Sequence, residues 1–177
     1  AGQAYVGSFN GTSQYLTAPS NSVFDFGTGN LTVECWVYVS STPTNMPLIA
    51  WDTGSYKCLR LNSSSLNFEA NNPSSISISV SFPAALPLNV WNHIALVRSS
   101  NSLFAYLNGV AGSATSYTGN WGNSTDVLNI GYKSGDAFSG YLSNLRIVKG
   151  LSVYTGNFTV PTGTLTATQS ANPFGGA

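Results

Sequence analysis

Little of this chain is charged: Asp, Glu, Lys and Arg make up 7% of its 177 residues, against about 25% in an average soluble protein. Six basic residues cancel six acidic ones, so the basic footprint that a nucleic acid or an anionic membrane demands is missing. No apolar run reaches the roughly 18 residues of a spanning helix. The opening residues, A-G-Q-A-Y-V-G-S, have neither the basic start nor the apolar middle of a signal peptide. Cysteine is sparse as well. Cys35 and Cys58 could bridge if their strands were neighbours and are otherwise two buried thiols. With no C-x-x-C and no Cys/His cluster, zinc and redox chemistry lack ligands. The single histidine, His93, lies mid-strand beside Trp91 and reads as a packed, hydrogen-bonded residue rather than a catalytic base. The carboxylates Asp25, Glu34, Asp52, Glu69, Asp126 and Asp136 are too scattered for two to share a strand face, as a glycosidase pair about 5 to 5.5 Å apart would.

What is present is apolar alternation punctuated by turns. At 42% hydrophobic, the chain can bury a sizeable core as one domain. The stretch Val90–Val110 alternates with period two on either side of a polar turn, which predicts an antiparallel hairpin. Trp91, His93, Ala95 and Val97 take one face and Ile94 and Leu96 the other. Leu103, Ala105 and Leu107 oppose Phe104 and Tyr106 on the return. Both faces are largely apolar, so this hairpin is expected between two layers, with Asn108-Gly109 turning the chain into a third strand. Leu31–Val39 is the longest clean alternation and reads as a central strand. Ala4–Phe9 and Gln14–Thr17 read as a hairpin closed at Asn10-Gly11, and Pro19–Phe26 as a single helical turn dipping Val23, Phe24 and Phe26 into the core. Further strands are expected over 48–51, 56–61, 66–70, 76–82, 127–132 and 140–148. No segment shows sustained helical periodicity. Many short strands without a repeat indicate an all-β sandwich of two antiparallel sheets.

Solubility must then come from Ser, Thr, Asn and Gly. So few charges leave edge strands without their usual guards, and a multi-copy assembly or homo-oligomer covering some edges is expected. The N-x-S/T sequences at Asn10, Asn30, Asn62, Asn123 and Asn157 arise by chance at such Asn, Ser and Thr content and carry no message about secretion.

Several stretches resemble a known family. F-N-G-T-S-Q-Y-L-T at 9–17 and F-D-F-G-T-G-N-L-T-V-E-C-W-V at 24–37 look like the opening of a laminin-G-like domain of the concanavalin A-like lectin/glucanase superfamily. W-N-H-I-A-L-V-R at 91–98 and Y-L-N-G-V at 106–110 resemble its middle hairpin. G-Y-L-S-N-L-R-I-V-K-G at 140–150, followed by Y-T-G-N-F-T-V-P-T at 154–162, resembles its closing strand, in a version similar to structural proteins of marine bacteriophages. The resemblance implies a concanavalin A-like jelly roll over residues 1–165, leaving 166–177 as an extended arm. The E-x-D-x-x-E or E-x-D-x-E strand of the glucanase members is absent, so no enzyme is expected. Related domains often hold calcium. Here Asp126 and Asp136 are the candidate ligands, while Ser143-Asn144 stands where many members carry an Asp. No other cofactor is expected.

The candidate binding surface is the loop holding Tyr117, Asn120, Trp121 and Asn123, because aromatic rings stack on sugar faces and amides bond sugar hydroxyls. The same side chains would anchor a protein partner, or fold back on the sheet as a plug. Trp36 and Trp51 are assigned to the core. The reading that combines these features is a non-catalytic virion structural protein at the particle surface. A capsid-decoration or head-surface protein, seated on the major capsid protein or other virion proteins and able to bind glycan, ranks ahead of a tail-fibre or receptor-binding module, since no trunk or repeat precedes the domain. The alternatives are an extracellular or cell-surface lectin module and, last, a diverged glycosidase.

Overall fold

Residues 31–38 show why the sheets form where they do. Leu31, Val33, Cys35 and Val37 alternate with Thr32, Glu34, Trp36 and Tyr38, and a pleated strand sends the two sets to opposite faces. The first set lies in the main hydrophobic core. The computed structural model describes residues 5–51, 57–71, 75–121 and 126–166. Among these are fifteen strands: β1 (Gly7–Asn10), β2 (Leu16–Ala18), β3 (Leu31–Tyr38), β4 (Met46–Trp51), β5 (Lys57–Leu61), β6 (Ser65–Asn71), β7 (Ser75–Ser81), β8 (Trp91–Ser99), β9 (Ser102–Leu107), β10 (Val110–Ala111), β11 (Thr115–Ser116), β12 (Leu128–Ile130), β13 (Tyr132–Lys133), β14 (Asp136–Ala137) and β15 (Ser139–Lys149). The only helical element described is a 3-10 turn at Ser22–Phe24.

Two antiparallel sheets carry the fold, as the alternation implied. One has the order β1-β15-β3-β8-β9-β10, with β11 also on β9, and the other runs β2-β12-β4-β5-β6-β7. Their facing sides form one core in which Leu31, Val33, Ile94 and Leu96 meet Ile49, Trp51, Leu59 and Phe68. The β8–β9 hairpin is sandwiched as expected. Ile94, Leu96, Leu103 and Ala105 join this core, whereas Ala95, Val97 and Tyr106 join a second cluster on the outer face. The cover there is the segment Leu151–Val160, whose Val153, Tyr154 and Phe158 pack onto the sheet. Thr32 Oγ1 accepts from the Val153 amide at 2.9 Å and the Ser152 hydroxyl donates to the Arg98 carbonyl at 2.8 Å, fastening this strap. Asn108 and Gly109 form the second turn at φ of 50° and 82°, which suits Asn-Gly. Gly109 has a further reason: a Cβ there would come within 2.0 Å of the Phe158 carbonyl oxygen of the strap.

Some expectations change. Residues 4–17 do not form a hairpin, because β1 pairs β15 in one sheet and β2 pairs β12 in the other. Asn10 Oδ1 accepts the amides of Thr12, Ser13 and Gln14, and this wrapped turn carries the chain across the sandwich instead of back along itself. Val23 is 55% exposed and only Phe26 of that segment is fully buried, since the 3-10 turn is too short to point three side chains one way. The strand expected over 127–132 breaks at Gly131, φ 79°, after which β13 and β14 make a separate small hairpin. Trp51 is a core residue, but Trp36 lies half-buried on the outer face, 5.5 Å from the His93 ring. Cys35 and Cys58 are free and buried in opposite sheets, and burial pushes the Cys58 thiol up to about 12. The arm's residues 167–177 lie outside the described residues, as does the turn at Asp52-Thr53-Gly54.

Three of the sheet margins are blunted by brevity, β1, β2 and the β10/β11 pair having four residues or fewer, a common way to limit edge pairing. The seven-residue β7 is longer. Thr115 closes part of it by donating from Oγ1 to the Ser79 carbonyl.

Candidate functional site

The loop expected to bind a ligand is turned inward. Trp121 is 1% exposed and Tyr117 6%. The Trp121 ring sits 4.4 Å from Phe68 and 5.8 Å from Phe26, while Tyr117 packs edge-on to Phe68. The plug arrangement is therefore what the chain adopts, because two large rings gain more from the open end of the apolar core than from water. Arg98, at the end of β8, clamps the loop: its guanidinium donates to the carbonyls of Gly119, Tyr117 and Gly27 and lies 5.0 Å over the Tyr117 ring. Nothing in the sequence marks that clamp, which depends on a contact between distant segments. Asn120 is exposed, with its carbonyl accepting from the Tyr117 hydroxyl, and Asn123 lies outside the described residues.

The candidate metal ligands are not brought into one cluster. Among the described residues no group of three His, Cys, Asp or Glu side chains is placed to hold an ion. Asp136 accepts from Arg60 Nη1 at 2.9 Å. Asp126 is half-buried and, with Asp25, pulls the Lys57 ammonium toward its charged form against the larger effect of burial, which leaves the Lys57 pKa lowered. Each carboxylate thus has a cation of the chain itself for company. Adding a chelator is expected to leave the melting temperature unchanged; a fall of several degrees, restored by calcium, would reveal a bound ion.

Two clusters of charge are visible only in three dimensions. On the outer face of the six-stranded sheet, Arg60 takes Glu69 on Nε at 2.7 Å and Asp136 on Nη1. These two carboxylates are far apart in sequence, yet the guanidinium fills the space between them that a glycosidic bond would have to enter. On the outer face of the other sheet, Glu34 is 1% exposed and four donors satisfy it. His93 Nε2 at 3.0 Å and the Tyr154 hydroxyl at 2.7 Å serve Oε2, and Arg146 serves Oε1 through Nε at 2.9 Å and through Nη2. A register shift between Ser143 and Arg146, with Asn144 at φ 51°, sets Arg146 opposite Glu34. Burial acts to raise the Glu34 pKa, but the hydrogen bonds from His93, Tyr154 and Arg146 outweigh it and hold the carboxyl below its usual range. This buried, closed network braces the strap against the sheet.

Beyond the strap's cover, the same outer face presents an open groove. Tyr141, Tyr38 and Trp91 stand abreast because β15, β3 and β8 pair in that register. Tyr38 contacts both neighbours edge-on, at 5.8 Å each. Tyr141 is 44% exposed, and Tyr38 and Trp91 are half-buried. With Val6, Ser40 and Gly140 these rings enclose about 480 Å³, within the range of ligand sites. Gly140 is required for the approach of β15, since a Cβ there would lie 2.3 Å from the Tyr38 carbonyl oxygen. Sequence reasoning passed over these rings. Their signal is an aromatic at one outward position of each of three strands, Tyr38, Trp91 and Tyr141, each with an apolar residue beside it in the sequence. One row of three rings, not a carboxylate pair, is what the face offers a ligand.

Residues 10–151 match a family described as the concanavalin A-like lectin/glucanases superfamily. No curated protein matches the sequence. Solved structures share the fold at low identity. Domains LG4-5 of the mouse laminin alpha1 chain superpose with a TM-score of 0.61 at 15% identity, covering 79% of this chain and 40% of that one. Domain 4 of AbnA, a GH43 extracellular arabinanase from Geobacillus stearothermophilus, in complex with arabinotriose, gives 0.61 at 16%, with coverage of 81% and 76%. The CBM40 of the Ruminococcus gnavus IT-sialidase, bound to alpha2,3 sialyllactose, gives 0.54 at 13%, with coverage of 82% and 90%.

Proposed function

Because the chain belongs to the concanavalin A-like lectin/glucanase superfamily, we propose that it is a non-catalytic carbohydrate-binding module, displayed as an adhesive structural component of a virion surface. The observation that carries the binding half is the row Tyr141–Tyr38–Trp91, three partly exposed rings at the wall of an open groove. Aromatic faces pair with the apolar faces of sugar rings, and the Ser40 hydroxyl and nearby main chain supply polar contacts. The arabinotriose and sialyllactose complexes of two structural neighbours lend this support. A non-catalytic role is favoured by the carboxylates, since Glu34 is sealed by four donors and Arg60 separates Glu69 from Asp136.

Placement on a virion rests on the likeness of residues 140–162 to bacteriophage structural proteins, and the near absence of charge agrees with it. Copies of zero net charge pack densely without mutual repulsion, and such contacts depend little on salt. Major capsid protein, other virion proteins and sister copies are the partners this reading names.

Replacing Trp91 with alanine is expected to weaken binding of a glycan-array hit by at least about tenfold, or about 1.4 kcal/mol. Isothermal titration reads this, with circular dichroism as the folding control. Unchanged affinity in a folded Trp91→Ala variant would rule out this groove. Stoichiometric recovery of the protein on purified particles supports the virion placement, and its absence from them refutes it.

A further inference from the structure

We propose that the ligand is an extended, uncharged polysaccharide chain laid along two joined grooves, rather than a terminal sugar. This rests on the carbohydrate-binding reading and adds the class and the pose of the ligand. The observation behind it is a second groove of about 390 Å³, bordered by Tyr5, Val6, Leu16, Ser143 and Asn144 among others. Val6 lines both grooves and is 45% exposed, so the two meet over its side chain.

Their order follows the sheet. The first groove runs from Trp91 on β8 through Tyr38 on β3 to Tyr141 on β15, a span of about 10 Å at two inter-strand spacings. β1 is the next strand and the margin of that sheet. Val6 and Tyr5 immediately precede it, and Leu16 opens β2, the margin of the opposite sheet. The track therefore continues past Tyr141 and around the edge of the sandwich. Tyr5 and Leu16, which both line the second groove, are 83% and 57% exposed, unusual for large apolar side chains along a cleft. The Ser143 hydroxyl donates to the Tyr5 carbonyl, which fastens this segment to β15 and holds Val6 and Tyr5 beside the track.

Among the described residues, no Asp, Glu, Lys, Arg or His lines either groove. A carboxylate or sulfate entering here would give up hydration with no counter-charge among these lining residues. A neutral sugar loses less: its apolar face meets Trp91, Tyr38, Tyr141 or Tyr5, while hydroxyls lie along Ser40 and Asn144. A track longer than the first groove alone is matched by a chain of several linked residues, whose interior units make the contacts.

The test is calorimetric titration with linear arabino- and gluco-oligosaccharides from disaccharide to octasaccharide, alongside sialyllactose and oligogalacturonides as charged probes. At least one neutral series should tighten about tenfold, or about 1.4 kcal/mol, between disaccharide and hexasaccharide. The variants Tyr5→Ala and Leu16→Ser, both at exposed positions, should abolish that gain, with circular dichroism as the folding control. A disaccharide that binds as tightly as a hexasaccharide overturns the extended pose but leaves carbohydrate binding standing. Preferential binding of the charged probes, lost in Trp91→Ala, overturns the uncharged class alone. Absence of binding by every probe overturns the carbohydrate reading itself.

Discussion

Replacing Glu34 with alanine is expected to destabilise the fold by about 3–5 kcal/mol, the cost of breaking a buried ion pair from one side. The size follows from what is left behind. Arg146, His93 and Tyr154 all direct donors at this carboxylate, and His93 and Tyr154 are 0% and 1% exposed, so water cannot replace it without opening the strap. For a chain of this length each kcal/mol moves the melting temperature by about 2–4 °C, and the fall should be about 10 °C. Urea unfolding should show the same loss as a lower midpoint at unchanged slope. A Glu34→Ala variant within 1 °C of the parent would mean that the network contributes nothing net. Acid should act on the same group. Because the folded-state pKa of Glu34 lies below its ordinary value of about 4.3, its contribution is fully present above that value and is lost as pH falls through the folded-state value. The variant's stability should accordingly respond less than the parent's to acid in that window.

Replacing Trp121 with alanine should cost a comparable amount, about 3–5 kcal/mol, as for other buried aromatic truncations. Its ring closes one end of the core against Phe26 and Phe68, its amide donates to the Gly27 carbonyl at 2.7 Å, and the loop around it is held by Arg98. A cavity there cannot collapse readily, because Phe68 belongs to the sheet and Phe26 is itself locked in the core. Affinity for glycan at the Trp91 groove should be unchanged, measured below the variant's lowered melting temperature. This pairs with Trp91→Ala as a double dissociation: one tryptophan carries stability and the other binding. Loss of glycan binding in Trp121→Ala with stability intact would return the binding site to the loop at 117–121.

The central hairpin was legible because period-two alternation is a local property. Ile94 and Leu96 had to face one way, and Ala95 and Val97 the other, whatever lay beyond them. The same logic placed Leu31 to Val37, and the Asn108-Gly109 turn followed from backbone preferences of two residues. The scarcity of charge and the absence of helical periodicity likewise bounded the fold class before any contact was known. The N-terminal segment shows the limit of such reasoning. Asn10-Gly11 signals a turn, but a turn does not say whether the next strand pairs its predecessor or crosses to the other sheet, and here Asn10 Oδ1 with its three amides made it cross.

The candidate site lay beyond the sequence for a related reason. Tyr38, Trp91 and Tyr141 belong to strands far apart in the chain, and only the registers of β15 with β3 and of β3 with β8 put them abreast. Tyr117 and Trp121 offered the clearer local pattern, aromatics among polar loop residues, yet composition cannot tell a loop that presents its rings from one that buries them. Burial was decided by the open end of the core and by Arg98 reaching the loop carbonyls of Tyr117 and Gly119. The sequence by itself determined the two faces of each strand and the near-neutral surface, because both follow from residue identity and spacing. Which faces met, which stayed open, and where Glu34 found its four donors were decided by the tertiary structure alone, because pairing register and strap placement depend on contacts between residues more than a hundred positions apart.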